Sequence, residues 1–256
     1  MDEIRSIRFE HRPSGAQFAA VRVRCGPIQL PLHVHSNHSV TVFDDAHEFR
    51  TRSRTRIAPP GSVAVAQAGE PHANLPLAGR GLRFSALEFE PEAWSSVFGC
   101  GVAPGLGTGV LHDAHLGQML RGLCREALQP GDPELRDALL ERFLTTLRRR
   151  VDAKREQRAA PDRPHHALSR ACRDFLFAHA SERVTLSDLA QRAGFNPDYL
   201  ARRFRRDFGM TAHQYLLSAR LDLARKLLRT GCSGACAAWP SSREIPSCAT
   251  RCSNAS

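Results

Sequence analysis

With 256 residues the chain has room for two domains of ordinary size, and its 42% hydrophobic share is that of a globular protein rather than a disordered or fibrous one. No stretch approaches the roughly 18 apolar residues of a membrane span. The start, MDEIRSIRFEHRPSG, has no apolar run after a basic segment, so no secretory signal is predicted and a cytoplasmic protein is expected. The net charge of +10 points to an anionic partner such as nucleic acid, although only Lys154 and Lys226 are lysine and part of the arginine excess reflects coding composition.

From Phe18 to Phe89 short alternating apolar runs (Val21, Val23, Cys25; Ile28, Leu30, Leu32, Val34; Val40, Val42; Val63, Val65) are separated by Pro and Gly clusters. This pattern predicts an antiparallel sandwich or small barrel. Arginine at every second position from Arg50 to Arg56 predicts one strand with a charged, solvated face. A loop is expected around 99–109. Leu116, Met119, Leu120, Leu123 and Ala127 then recur at helical spacing, and Pro133 opens a second helix carrying Leu135, Leu139, Phe143 and Leu147. Such a hairpin either packs on the sheet or pairs two chains, and periodicity does not separate these alternatives. Residues 152–166 are polar, aperiodic and contain two prolines, which reads as a linker.

A helix over 168–180 places Leu168, Cys172, Phe175, Leu176 and His179 on one face. Thr185 caps the next helix with Asp188 three residues on, and Leu186, Leu189, Ala190 and Ala193 are expected inside. Gly194 ends it, and Asn196 with Pro197 supplies an N-cap and first-position pair for a third helix. That spacing is a helix-turn-helix. On the third helix Leu200, Phe204 and Phe208 anchor the core, so Asp198, Ala201 and Arg202 are the candidate base readers. Asn196, Arg203, Arg205 and Arg206 are the candidate phosphate contacts. Residues 182–229 carry ten basic and five acidic side chains, half of the chain's excess charge, which supports double-stranded DNA as the partner. Thr211 and Gln214 form a capping box for a long following helix, whose buried side is expected to hold Leu217, Leu221, Ala224 and Leu228.

The segment TLSDLAQRAGFNPDYLARRFRRDFGMTAHQYLLSARLDLARKLL resembles the first helix-turn-helix and linker helix of the AraC/XylS family of bacterial transcription regulators. Leu189, Ala190, Leu200, Phe204, Gly209, Tyr215, Arg220, Leu221 and Ala224 match its core pattern, while Asp198, Ala201 and Arg202 occupy its base-facing positions. The resemblance implies an N-terminal cupin-like sensory barrel, dimerising helices and a small-molecule effector. His33-Val34-His35 and Gly69-Glu70-Pro71-His72 look like degenerate cupin motifs, which makes His33, His35 and His72 effector-pocket candidates. In metal-binding cupins such histidines hold a transition metal with a nearby Glu, but residues 36–40 contain none. The alternatives are a three-histidine site completed by His38 or water, or a polar pocket of structural histidines. No metal, cofactor or catalytic residue is assigned.

The expected organisation is therefore α+β. A cupin-like barrel occupies 1–110, a helical hairpin 111–151 with possible homodimerisation, a linker 152–166, and an all-α helix-turn-helix domain with its linker helix 167–231. The family's second helix-turn-helix is missing from this reading. The tail 232–256 has four cysteines and Ile245 but no Leu, Val, Phe or Met, so it is read as an aberrant, disordered segment after a truncation or change of reading frame. The expected function is sequence-specific DNA-binding regulation by a small-molecule effector, impaired by that loss. The alternatives are a sensor or dimerisation module without DNA binding, and a cupin metalloenzyme.

Overall fold

The computed structural model describes residues 2–26, 30–52, 54–77, 80–98, 105–156 and 166–229. Its N-terminal part contains β1 (Glu3–His11), β2 (Ala16–Cys25), β3 (Leu30–His33), β4 (His38–Phe43), β5 (His47–Thr51), β6 (Thr55–Ala58), β7 (Val63–Ala66), β8 (His72–Pro76), β9 (Leu82–Phe89), α1 (Pro91–Phe98), β10 (Gly109–Leu111), α2 (Ala114–Ala127) and α3 (Pro133–Glu156). The C-terminal part contains α4 (His166–Ala178), α5 (Leu186–Ala193), α6 (Pro197–Phe208) and α7 (Ala212–Arg229). Antiparallel strands form one sheet in the order β1-β2-β9-β4-β7-β10 and a second in the order β3-β8-β5-β6. Phe43, Phe49, Ala58, Ala64, Leu82 and Val110 come from both sheets yet share one buried cluster, so the sheets face each other as a cupin-like barrel.

Strand alternation explains why the middle of the larger sheet is buried on both sides. In β4, Val40 and Val42 join the cluster made with the helices, while Phe43 joins the barrel interior. Leu116, Leu120, Leu123, Phe143 and Leu147 of α2 and α3 complete the helix-side cluster. The hairpin therefore packs on the sheet, the first of the two alternatives left by periodicity. Each fully buried Leu or Phe side chain contributes about 1.5–3 kcal/mol by leaving water. Gly117 lets α2 approach closely, because a Cβ there would collide with the carbonyl of Gly61.

Several sequence expectations are corrected. The arginine-rich stretch is the hairpin β5–β6, closed by Thr51 N–H donating to the Arg54 carbonyl at 2.8 Å, and not one strand. Both arms keep arginine outward, so the alternation survives across the turn. β1 was not predicted because it is an edge strand with mostly exposed residues. α1 is only eight residues long and falls beside the expected loop, anchored by buried Trp94. α3 runs to Glu156, past the expected linker start at 152. Its last turns are held by buried Val151, an Arg150–Asp113 ion pair at 2.6 Å and Lys154 donating to the Val110 carbonyl at 3.0 Å.

On α7 the expected buried face is wrong: Leu217, Leu221 and Leu228 are 50%, 62% and 59% exposed. The buried face carries Tyr215, Leu216, Ala219 and Asp222. Leu186 of α5 is likewise exposed, whereas Leu189 and Ala190 are buried. The tail 232–256 lies outside the described residues.

Two imidazoles of the barrel are buried without a carboxylate partner shown. Burial lowers His38 and His47 from the usual 6.5 to about 4. The unfolded chain binds these protons first, so their neutral state supports the fold fully above pH 6.5. Stability should fall as pH drops from 6.5 to 4, by about 1.4 kcal/mol per pH unit for each imidazole. Urea unfolding across this range checks it: the midpoint should drop steadily with pH, and His47→Gln should make the fall shallower.

Candidate DNA-reading and ligand-sensing sites

Local signals build the reading unit as expected. Thr185 and Asp188 form a reciprocal capping box at the start of α5, and Gly194 ends it at φ 70, a left-handed conformation suited to glycine. Asn196 then caps α6, its side-chain oxygen accepting from Asp198 N–H at 2.8 Å, with Pro197 in the first turn. Thr211 and Gln214 form the second capping box, at the start of α7.

Leu200, Phe204 and Phe208 anchor α6 in a buried cluster with Cys172, Leu176, Leu189 and Tyr215. Asp198, Arg202, Arg205 and Arg206 are exposed and Ala201 is half-buried, so these candidates share the outward side. Asn196 is exposed too, with its amide N–H groups the remaining donors once the oxygen caps the helix.

Arg203 departs from its expected role. It is 8% exposed and pairs with Asp207 one turn on, at 2.8 Å, while Ser169 of α4 donates to the same carboxylate oxygen at 2.5 Å. A guanidinium committed there is not presented to a phosphate. At 100° per residue Arg203 lies only 40° from Asp207, on the border of the buried arc, which residue type alone did not reveal. The structure also adds Tyr199, 42% exposed on the outward side of α6 and stacked on exposed Phe195 at 5.3 Å between ring centroids.

The sensor histidines do assemble. Antiparallel pairing of β3 and β8 places His33 opposite His72, and His35 follows β3, so that one ring nitrogen from each lies within 4.8 Å of the others. Burial lowers the pKa of His33 and, further, of His72, where the neighbouring His35 and His33 add to the effect. Both are thus neutral at pH 7. His38 is not part of this group: its Nδ1 accepts from Ala68 N–H at 3.0 Å and its ring lies 5.4 Å from that of Phe89.

This group borders the reading unit. Val34 N–H donates to Ser218 Oγ at 2.8 Å, and that hydroxyl donates back to the Val34 carbonyl at 3.1 Å. Ser36 gives both its N–H (3.0 Å) and its hydroxyl (2.6 Å) to Asp222. The buried Tyr215 hydroxyl donates to the Gly69 carbonyl at 2.8 Å, and Arg173 pairs with Glu70 at 3.0 Å. Arg52 at the tip of the β5–β6 hairpin donates to the Asp207 carbonyl at the end of α6. Beside these contacts a cleft of about 740 Å³ opens between the two parts, lined among others by Ser36, Gly69, Pro91, Arg173, Phe177 and Lys226. Its size falls within the range of small-molecule sites.

Comparison with known proteins now decides the family. Residues 30–144 match the model of an AraC-like ligand binding domain, and residues 189–241 match a helix-turn-helix domain. The chain belongs to the AraC/XylS family of transcription regulators. The helix-turn-helix match continues to residue 241, beyond Gly231 where the resemblance was expected to stop. An HTH-type transcriptional regulator of Bacillus subtilis (strain 168), YbfI, itself uncharacterised, is 24% identical over 208 residues, covering 79% of this chain and 75% of that protein. The unsaturated fatty acid-bound ToxT of Vibrio cholerae strain SCE256 shares the fold at TM-score 0.52 and 9% identity, over 90% of this chain and 81% of that one. As a family member the protein is a ligand-responsive, DNA-binding transcription regulator. No helix among the described residues is long and apolar enough to cross a membrane.

The Arg203–Asp207 pair separates structural from exposed charge on α6. Asp207→Ala leaves a buried guanidinium without its carboxylate and should cost about 3–5 kcal/mol. Arg206→Ala, at a side chain 67% exposed, should stay within about 0.5 kcal/mol. Chemical denaturation of the two variants measures the contrast.

Proposed function

We propose that α6 is the recognition helix, with Asp198, Ala201 and Arg202 toward base edges and Asn196, Arg205 and Arg206 on phosphates. The carrying observation is the exposed arc of α6, where these side chains lie opposite a fully buried Leu200–Phe204–Phe208 anchor. Tyr199 joins them, its ring placed for apolar contact such as a thymine methyl. Arg203 acts from within, holding the helix to Asp207.

In this reading the small-molecule effector occupies the cleft between barrel and reading unit, bordered by the histidine group. Lys226 and Arg173 provide cationic groups there, although Arg173 is paired with Glu70 and Asp174 and Lys226 lies 3.4 Å from Glu90. The fatty acid carried by ToxT makes an amphipathic carboxylate a reasonable first ligand to try. The protein acts in the cytoplasm as a regulator rather than an enzyme. Two copies pair through the outer side of α2 and α3, where Leu135 is 48% exposed. The domain organisation follows the sequence expectation, with the linker shortened to begin after Glu156.

Arg202→Ala should lose about 1–3 kcal/mol of discrimination between target and random DNA. Arg206→Ala should weaken binding to all sequences and lower the slope of log affinity against log salt by about 1. Mobility-shift titrations at several salt concentrations measure both, and no affinity for any DNA at low salt would overturn the assignment of α6.

A further inference from the structure

We propose that His33, His35 and His72 form a transition-metal site, and that its occupancy is transmitted to the reading unit through the Val34–Ser36 segment and α7. The geometry of the rings carries the first half. Each Nδ1 sits against a backbone carbonyl two residues away: His33 on Pro31 at 2.7 Å, His35 on Asn37 at 2.7 Å and His72 on Glu70 at 3.0 Å. A carbonyl only accepts, so each Nδ1 carries the proton and each Nε2 is left with a bare lone pair. Backbone carbonyls fixing the tautomer in this way are what orient histidine ligands toward a metal.

Three imidazoles bound at ~2.0–2.1 Å in tetrahedral geometry place their nitrogens ~3.4 Å apart. The 4.8 Å bound on the ligand atoms here therefore needs only small side-chain rotations to close. Ring centroids of 4.5 Å for His33–His72, 4.8 Å for His35–His72 and 5.9 Å for His33–His35 show that His33 and His35 have the furthest to move. Three neutral nitrogen donors suit zinc, nickel, cobalt or ferrous iron and leave a position for water or an effector group. A hard, oxygen-seeking ion such as calcium or magnesium is excluded by the donor set.

The second half follows from where the ligands lie. Val34, between His33 and His35, exchanges two hydrogen bonds with Ser218, and Ser36, next to His35, gives two to Asp222. Drawing His33 and His35 onto an ion moves the backbone that α7 grips. Tyr215 of the same helix packs on Phe204 and Phe208 of α6 at 5.5 and 5.6 Å between centroids. A path of direct contacts thus runs from the ligands to the helix proposed to read DNA. The metal site stands independently of that proposal, and only the consequence for DNA rests on it.

The test uses the full chain stripped with a chelator and titrated with Zn²⁺ by calorimetry and with Co²⁺ by visible absorption. One equivalent should bind with a ligand-field spectrum free of thiolate charge transfer. His33→Ala and His35→Ala should abolish that site, whereas replacing Cys232, Cys236, Cys248 and Cys252 with Ser should leave it intact. Hydrogen exchange should show slower exchange of the α7 amides on zinc binding, by about tenfold, and Asp222→Asn should keep the zinc stoichiometry while losing that effect. No uptake, or uptake that survives the histidine substitutions or vanishes with the cysteines, overturns the site. Unchanged α7 exchange in a zinc-loaded protein overturns the transmission. Neither readout uses DNA, so a failure here is distinguishable from a failure of α6 to bind DNA.

Discussion

The grip of α7 on the backbone of residues 34–36 is the interaction on which the arrangement depends. A helix whose exposed side carries leucines turns its Ser218 and Asp222 inward, and both are spent on main-chain or hydroxyl groups of the sensor. Buried hydrogen bonds of this kind contribute modestly when made and cost more when one partner is removed, because the remaining group loses water without compensation. Asp222, 7% exposed, is in that position. The link is also apolar: Val34 belongs to the same buried cluster as Leu200, Phe204 and Tyr215, with Leu32 packed against it. Sensor and reading unit therefore share a core, and neither face of the junction is complete without the other.

This junction gathers the chemistry. The histidine group, the Tyr215–Gly69 hydrogen bond, the Arg173–Glu70 pair and the open cleft all lie along it. Arg52 adds a second tie at the far end of α6, where Gly209 in a left-handed conformation at φ 73 packs against it. α6 is held at its carbonyl end by the barrel and along its inner side by α4, α5 and α7. A ligand at the junction has direct access to both halves, which is a physical route for an effector to bias the reading unit.

Much of the reading unit was legible in sequence. Thr185 with Asp188, Asn196 with Pro197, and Thr211 with Gln214 are capping signals whose partners lie within three residues, and all appear as hydrogen bonds. The Leu200–Phe204–Phe208 spacing likewise gave the anchored face. What misled was the assumption that apolar residues mark the buried side. On α7 the choice between Leu217, Leu221, Leu228 and Tyr215, Ser218, Asp222 is made by sensor residues more than 140 positions away. On α6 Arg203 and Arg206 are the same residue type three positions apart, and only the position of Asp207 and Ser169 makes one internal and the other exposed.

The sequence by itself determined the two-part α+β organisation, the helix-turn-helix and its caps, and the family to which they point. These depend on interactions within a turn or two of backbone, where residue type and spacing are sufficient. Tertiary structure alone decided which arginine is buried, which side of α7 is inside, and that His33, His35 and His72 converge. Convergence requires the pairing of β3 with β8, and the register of two strands 40 residues apart is set by the packing of the whole barrel rather than by either strand.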